Sequence, residues 1–532
     1  MASSTSSKAS LFLLSTILFF SNACAISNTP NAENLNALKS FCRTTPYPEV
    51  CFNSLKLSIS ITISPNILNN LLQSLQVAIS EATKLSDLFN NAGNSNSIIE
   101  NKIGAVQDCK ELHKLTLSSL KRSLSAIRSQ NSKDLVDART YLSAALTNKE
   151  TCLESMESAS GTLKPTLVDS VTNTFKYVSN TLSMLPRKPD MKKKQKKSTP
   201  KWFFSKSDDE GYDPSEVIVV AADGSGNFST INEAIDFAPS NSFDRTVIYV
   251  KEGLYEENVE IPSHKTNIVL LGDGRDATVI TGNRSFVDGW TTFRSATLAV
   301  SGDGFLARDI AIENKAGPEK HQAVALRVNA DLTAFYRCSI YGYQDTLYTH
   351  SFRQFYRESD IYGTIDFIFG NAAAIFQGCN IVSLMPIPGQ FTVITAQSRS
   401  SPDEDTGISI QNSSIVASTD LSSNSTMVKS YLGRPWRVYS RTVYIESYID
   451  KFIDPLGWTK WNNNNDGDTE GLETLYYGEY ENYGGGSDTR NRVDWPGFHL
   501  LDYNDAYNFT VSEFIAGDAW LGSTSFPYDD GI

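Results

Sequence analysis

The sequence predicts an all-α four-helix bundle followed by an all-β, right-handed parallel β-helix. Two observations carry this. Residues 30–185 are rich in Leu, Ala, Ser and Asn, with apolar residues at helical spacing. From Val217 the pattern becomes short β-rich runs that recur at roughly 20–25 residues, the period of a solenoid. Consecutive strands without hairpin turns favour a parallel β-helix over a sandwich.

The first 25 residues read as a signal peptide. Lys8 supplies a weak basic start, LFLLSTILFF (11–20) the apolar stretch and ACA (23–25) the small-residue cleavage site. The apolar run is short for a bilayer span, so a retained anchor is the lesser reading. The chain is therefore expected to be secreted, with no membrane span.

Residues 26–186 form the predicted bundle. Leu71, Leu72, Leu75, Ala78 and Ile79, then Leu112, Leu115, Leu117 and Leu120, recur on one helical face. Cys42 and Cys51 flank RTTPYPEV, whose prolines suggest a helical hairpin or a kinked entry. Cys109 and Cys152 fall in different helical segments, which a bridge would staple. A secreted context favours disulfides. No constellation in the bundle points to chemistry.

Residues 187–213 read as a charged linker. RKPDMKKKQKKSTPK is basic and SKSDDEGYDP acidic, as in a solvated segment or a processing site. The last region, 214–532, holds the runs VIVVA, TVIYV, NIVLLG, TVITG, TLAVSG, AVALRV, AFYRCSIYG, QFYRESDIYG and AIFQGCNIV, with one helix expected at INEAIDFAP (231–239). The sequons Asn227, Asn283, Asn412, Asn424 and Asn508 suit a secretory route.

At 532 residues the chain is long for one core, so two domains are expected. A 40% hydrophobic fraction and 20% charge are those of a globular protein. A net charge of -13 argues against a nucleic-acid partner. It also disfavours a polyanionic substrate, unless a local basic groove overrides the overall field.

The candidate site follows from the coil period. Asp345 in YQDTLY and Asp366 in GTIDFIFG lie 21 residues apart, and Gln322 and Gln344 lie 22 apart. Residues one coil apart stack at about 4.8 Å. Two carboxyls and two amides would then share one face. Adjacent carboxyls do not both ionise easily, which separates an acid from a nucleophile or base. Amide N–H groups suit a developing oxyanion. The chain has no G-x-S-x-G elbow, no histidine arrangement of a triad and no metal-ligand spacing.

The motifs GLYEENV, HQAVALRV, YQDTLY, YGTIDFIFGNA and YLGRPWR occur in that order, with LYYGEYENYG and FIAGDAWL near the C-terminus. Together they resemble the plant pectinesterase (pectin methylesterase) family over 214–532. Residues 30–185 resemble the pectinesterase-inhibitor pro-region found in that family. The resemblance implies hydrolysis of methyl esters of polygalacturonate in the cell wall, with methylesterified pectin as substrate and a proteinaceous pectinesterase inhibitor as a partner. It implies Asp366 as nucleophile, Asp345 as proton donor and then base, and Gln344 and Gln322 at the oxyanion. Arg434 would pair with Asp366 and keep it ionised. Trp436 and Tyr348 would face the sugars and Thr292 would line the groove. No metal or organic cofactor is implied. The bridges would be Cys42–Cys51 and Cys109–Cys152.

Two departures stand out. The family's usual processing motif, a basic pair followed by two leucines, is absent where PKWFFSKSDDE stands. Ser359 replaces a cysteine common in the family, which would leave Cys379 and Cys338 as free thiols. The rival readings are a polysaccharide hydrolase or lyase, which paired carboxylates also suit, and a non-catalytic pectin-binding or inhibitor protein.

Overall fold

The computed structural model describes residues 32–59, 67–92, 98–187, 217–462 and 470–532. The expected signal peptide lies outside these residues, as does all of the expected linker except Arg187.

The N-terminal region holds six helices, α1 (Ala32–Cys42), α2 (Pro48–Ile59), α3 (Ile67–Ala92), α4 (Ala105–Ser129), α5 (Ser132–Glu157) and α6 (Lys164–Met184), with a two-stranded antiparallel pair, Ile99–Glu100 and Ala159–Ser160, between them. Helices α3 to α6 pack as the bundle, and α1–α2 form the hairpin that RTTPYPEV allowed. Leu71, Leu75, Ala78, Leu112 and Leu120 are buried in the shared core, as their spacing required. Gln130 turns the chain between α4 and α5 in a left-handed conformation, and Asn131 caps α5 by accepting from Lys133 N at 3.2 Å. Disulfides join Cys42 to Cys51 and Cys109 to Cys152, with Cα atoms 5.6 and 4.5 Å apart.

From Ile218 the chain winds through three parallel sheets of eleven, eight and seven strands. One coil runs Arg353–Arg357, Asp360–Gly363 and Ile368–Gly370, and the next runs Ala373–Gln377, Asn380–Ser383 and Thr392–Gln397. The helix expected at INEAIDFAP is α7 (Ile231–Phe237), which closes the first coil.

Runs such as AFYRCSIYG and QFYRESDIYG each prove to be two strands meeting at a corner. The corner residue has positive φ on successive coils: 54° at Arg337, 47° at Glu358, 66° at Gly378 and 44° at Asn412. That left-handed residue turns the chain from one sheet into the next while both flanking strands stay hydrogen-bonded. Inside, like side chains stack along the axis. The Phe335, Tyr356 and Phe376 rings lie parallel at 5.0 and 4.6 Å.

The short helices Thr419–Ser423, Tyr503–Tyr507 and Val511–Ile515 carried no clear helical pattern in the sequence. The last of them covers the outer face of the eleven-stranded sheet, where Val511 and Ile515 bury Val269, Leu306, Ala334 and Phe355. Tertiary burial decides such one-turn elements, not their own period.

Ser359 sits between Cys338 and Cys379 in one column, because Ser339, Asp360 and Asn380 are successive Cα partners. Both cysteines are free and buried. The Ser359 hydroxyl accepts from Cys338 N at 3.1 Å and donates to Arg357 O at 3.0 Å.

Among the described residues, no helix is long and apolar enough to cross a membrane. Asn227, Asn283, Asn412 and Asn508 are exposed and Asn424 is half-buried.

Candidate active site

The 21-residue register aligns the two aspartates. Leu347 pairs with Ile368, so Asp345 and Asp366, each two residues earlier, sit on adjacent coils. Both lie in the turns that enter the seven-stranded sheet, and both have left-handed backbones, with φ of 61° and 51°. Such a conformation costs an aspartate on the order of 1 kcal/mol or more, and it turns the carboxyl out of the wall toward the cleft. Both are almost fully buried.

Arg434 follows the strand Ser430–Gly433 and reaches back two coils. Its guanidinium donates twice to Asp366, at 2.8 and 2.5 Å, in the bidentate form that suits a carboxylate. A third donor reaches the Trp461 carbonyl at 3.3 Å, and the Trp461 ring lies 4.3 Å from the guanidinium. Asp345 has no such cation of its own. Burial, followed by the neighbouring Asp366 charge, pushes its carboxyl well above the usual range, and Arg434 offsets this only in part. One carboxyl thus sits in an ion pair, while burial and its neighbour push the other toward its protonated form.

All eight site residues expected from the sequence line one cavity of about 270 Å³: Thr292, Gln322, Gln344, Asp345, Tyr348, Asp366, Arg434 and Trp436. Gln322 and Gln344 are held by their backbones, their carbonyls accepting from Phe286 N at 2.8 Å and Ala323 N at 3.2 Å. Among the described residues neither side-chain amide has a protein partner, so both are available to a ligand. Tyr348 stacks on Phe369 at 4.2 Å, and Trp436 stacks on Trp461 at 6.3 Å. A larger cavity of about 1030 Å³ beside Phe391, Tyr431 and Trp495 contains neither aspartate.

Sequence reasoning missed Phe369, Phe293 and Trp461. Phe369 was findable, since it is one 21-residue period after Tyr348. Trp461 was not, because it arrives from a connection outside the repeat.

The same cavity is also lined by Lys102, Thr151, Glu154, Ser155 and Ser158 of the bundle. Helices α4 and α5 lie across the cleft. The Thr151 hydroxyl lies 2.9 Å from His350 Nε2 and 3.4 Å from the Tyr348 hydroxyl. Glu154 pairs with Arg437, Arg139 with Asp405 at 2.6 Å, Asp137 with Arg353 at 2.8 Å, and Arg122 with Asp303 at 2.7 Å. Ile103 adds a backbone bridge, its N donating to Gly289 O at 2.7 Å.

Comparison with known proteins agrees with this geometry. Residues 217–518 match the pectinesterase family, and residues 36–184 match the plant invertase/pectin methylesterase inhibitor family. A probable pectinesterase/pectinesterase inhibitor 12 of Arabidopsis thaliana is 65% identical over 521 residues, covering 93% of each chain. Pectinesterase 2 of Citrus sinensis is 44% identical over 526 residues, covering 98% of this chain and 99% of its own. Among solved structures, the pectin methylesterase from carrot is 51% identical with a TM-score of 0.59, and covers 61% of this chain and 100% of its own. The deglycosylated pectin methylesterase from Aspergillus niger is 34% identical with a TM-score of 0.50, and covers 58% of this chain and 96% of its own. Fold and relatives together define a carboxylic ester hydrolase built on a parallel β-helix. More narrowly, the chain belongs to the pectinesterase family, with a pectinesterase-inhibitor region ahead of the enzyme domain.

Proposed function

We propose that this enzyme hydrolyses the C6 methyl esters of polygalacturonate in the cell wall, outside the cell, through an acyl-enzyme on Asp366. The observation that carries the reading is the split carboxyl pair. Asp366 is bidentate to Arg434, while Asp345 is held toward its protonated form one coil away.

The steps follow from these states. A carboxylate oxygen of Asp366 attacks the ester carbonyl. The amide N–H groups of Gln344 and Gln322 donate to the resulting oxyanion. As the C–O bond breaks, Asp345 gives its proton to the departing methoxide, and methanol leaves. Asp345, now a carboxylate, takes a proton from the water that attacks the acyl-enzyme. The acyl bond breaks, Asp366 is restored and a galacturonic acid unit remains. Tyr348, Phe369, Trp436 and Trp461 offer ring faces to the sugars, with Thr292 in the groove.

The docking of the bundle supports a second part of the reading. Helix α5, with Lys102 and Ser158 at its sides, covers the cavity that the substrate needs, so the 26–186 region acts as an inhibitor in cis. Release by cleavage within 187–213, secretion after removal of 1–25, the catalytic span 214–532 and glycosylation at the exposed sequons belong to the same proposal.

The test is methanol release from esterified pectin, measured together with reducing ends. Methanol without new reducing ends is expected. New chain ends would favour a glycoside hydrolase or lyase and overturn the reading.

A further inference from the structure

Five residues form one column on the outer face of the seven-stranded sheet, under the bundle: Ala299, Arg327, Tyr348, Phe369 and Ala396 are successive Cα partners. Four are apolar or aromatic and one is an arginine. Arg327 is 1% exposed. Its guanidinium lies 3.4 Å from the centre of the Phe293 ring, and that ring meets Tyr348 edge-on at 6.5 Å. The arginine does not line the catalytic cavity itself but stands one coil from Tyr348, which does, on the sheet face that α4 covers. Arg294 stands beside it on the wall.

Among its described residues, the β-helix gives neither arginine an ion pair. Among the described residues, Arg294 pairs with Asp108 at 2.7 Å and with Glu111, both on α4. Arg327 has Glu111 at 3.7 Å as its only carboxylate within 4 Å. Among the described residues of the β-helix, Arg327 donates one side-chain hydrogen bond, to Asn329 Oδ1 at 3.0 Å, lies over the Phe293 ring, and leaves its Nε without a partner. Ser301 and Thr291 add hydroxyl donors, at 3.4 Å to Glu111 and 2.7 Å to Asp108. Glu260 is the β-helix carboxylate whose charge is felt at both arginines, but it makes no ion-pair contact with either. Two guanidinium groups and two hydroxyls therefore face carboxylates that come from the covering domain. Under α4 the two arginines are shut from water and take their counter-charge from Asp108 and Glu111, whereas an uncovered cleft presents two unpaired guanidinium groups to an anionic ligand.

A polyuronate supplies one. A methyl-esterified unit is neutral and gains little from an arginine fork, whereas a de-esterified unit carries the carboxylate that the fork binds. We propose that Arg294 and Arg327 form an anionic subsite of the cleft for free carboxylates of already de-esterified galacturonate units, and that α4 fills this subsite in the intact chain with Asp108 and Glu111. The proposal rests on the polygalacturonate esterase reading. It makes the bundle and de-esterified pectin competitors for one site, and it biases the enzyme toward esters next to its own product.

The test uses the full chain and two probes, trigalacturonate and its trimethyl ester, with affinity read by calorimetry. D108N/E111Q removes the two carboxylates that compete for the arginines and is expected to bind trigalacturonate about 10–100-fold tighter than wild type, the worth of a charge-assisted contact. Adding R294Q or R327Q is expected to remove that gain, and the trimethyl ester is expected to gain less than threefold. Melting curves establish that each variant folds. Where R327Q does not, R294Q carries the test, since Arg294 is only partly buried. Unchanged trigalacturonate affinity in D108N/E111Q, a gain that survives R294Q, or an equal gain for the ester would each overturn the proposal. Failure of the esterase reading is distinct: no methanol release from any form, whatever the calorimetry shows.

Discussion

The grip of the bundle on the cleft should weaken as pH rises from 5 to 8. Two interface carboxyls set the size of the effect. Asp108 is buried between the domains, and burial raises its pKa to about 6 from 3.8 despite Arg294 and its hydrogen bonds to Thr291 and Ser155. Glu154 is raised to about 7 from 4.5, first by burial and then by Glu150 and Glu157, with Arg437 opposing. A carboxyl whose pKa is higher when docked holds its proton in the docked state. Its contribution is full below the free value and is lost as pH climbs through the docked value. Between pH 5 and 8, Asp108 then accounts for about a tenfold loss of affinity and Glu154 for about seventyfold. Together the loss is about 10²–10³-fold, or roughly 4 kcal/mol. Glu111 has the opposite sign. Burial pushes it up, but Arg327 and Arg294 outweigh that and leave it below its ordinary value of 4.5. Its contribution is present above that value and lost below, so it changes little in this window. The assay is the dissociation constant between the two parts of a chain nicked at an engineered protease site within residues 188–213, measured by sedimentation at each pH. The variant D108N/E154Q should flatten the profile. An affinity that is constant, or that rises with pH, would refute the reasoning.

Three further outcomes are expected. Asp366→Ala should abolish methanol release and Asp345→Asn should lower it severely, with circular dichroism unchanged; normal turnover by Asp366→Ala would remove the nucleophile from the mechanism. Gln344→Ala should cost about 10²–10³ in kcat, as for loss of one oxyanion donor, and a change in KM alone would make it a ground-state contact instead. The wild-type catalytic part, residues 214–532, should show two free thiols under denaturing, non-reducing conditions. Ser359→Cys should leave one, because residues 359 and 379 are neighbours in one column, with a gain of about 3 kcal/mol for closing a loop of this length. A count of three thiols would contradict that register.

The sequence by itself determined what repeats and what is local. Apolar spacing in 71–79 and 112–120 specifies helices that must bury one face, and no other partner for those faces is needed to predict a bundle. The recurrence of β-rich runs specifies coils, and the coil length converts a 21-residue interval into contact between Asp345 and Asp366. The same arithmetic set Ser359 beside Cys379. These inferences work because a parallel stack has one repeat distance and one register.

Only the tertiary structure decided what no period encodes. Arg434 was expected beside Asp366 only through its motif, not through any period, and the bidentate contact across 68 residues of chain, with Trp461 clamping the arginine from outside the coils, is a product of the tertiary fold. The corners at Arg337 and Glu358 split runs that read as single strands, because a left-handed residue need not be glycine when both flanking strands hold it. Above all, the bundle read as structural and without chemistry. Its polar positions at Asp108, Glu111, Thr151 and Glu154 are ordinary in a helix, and each takes its meaning from a partner about 180 or more residues away. Docking of one domain on another joins surfaces whose periods are unrelated, so the contact is fixed by shape and charge in space and leaves no regular trace along the chain.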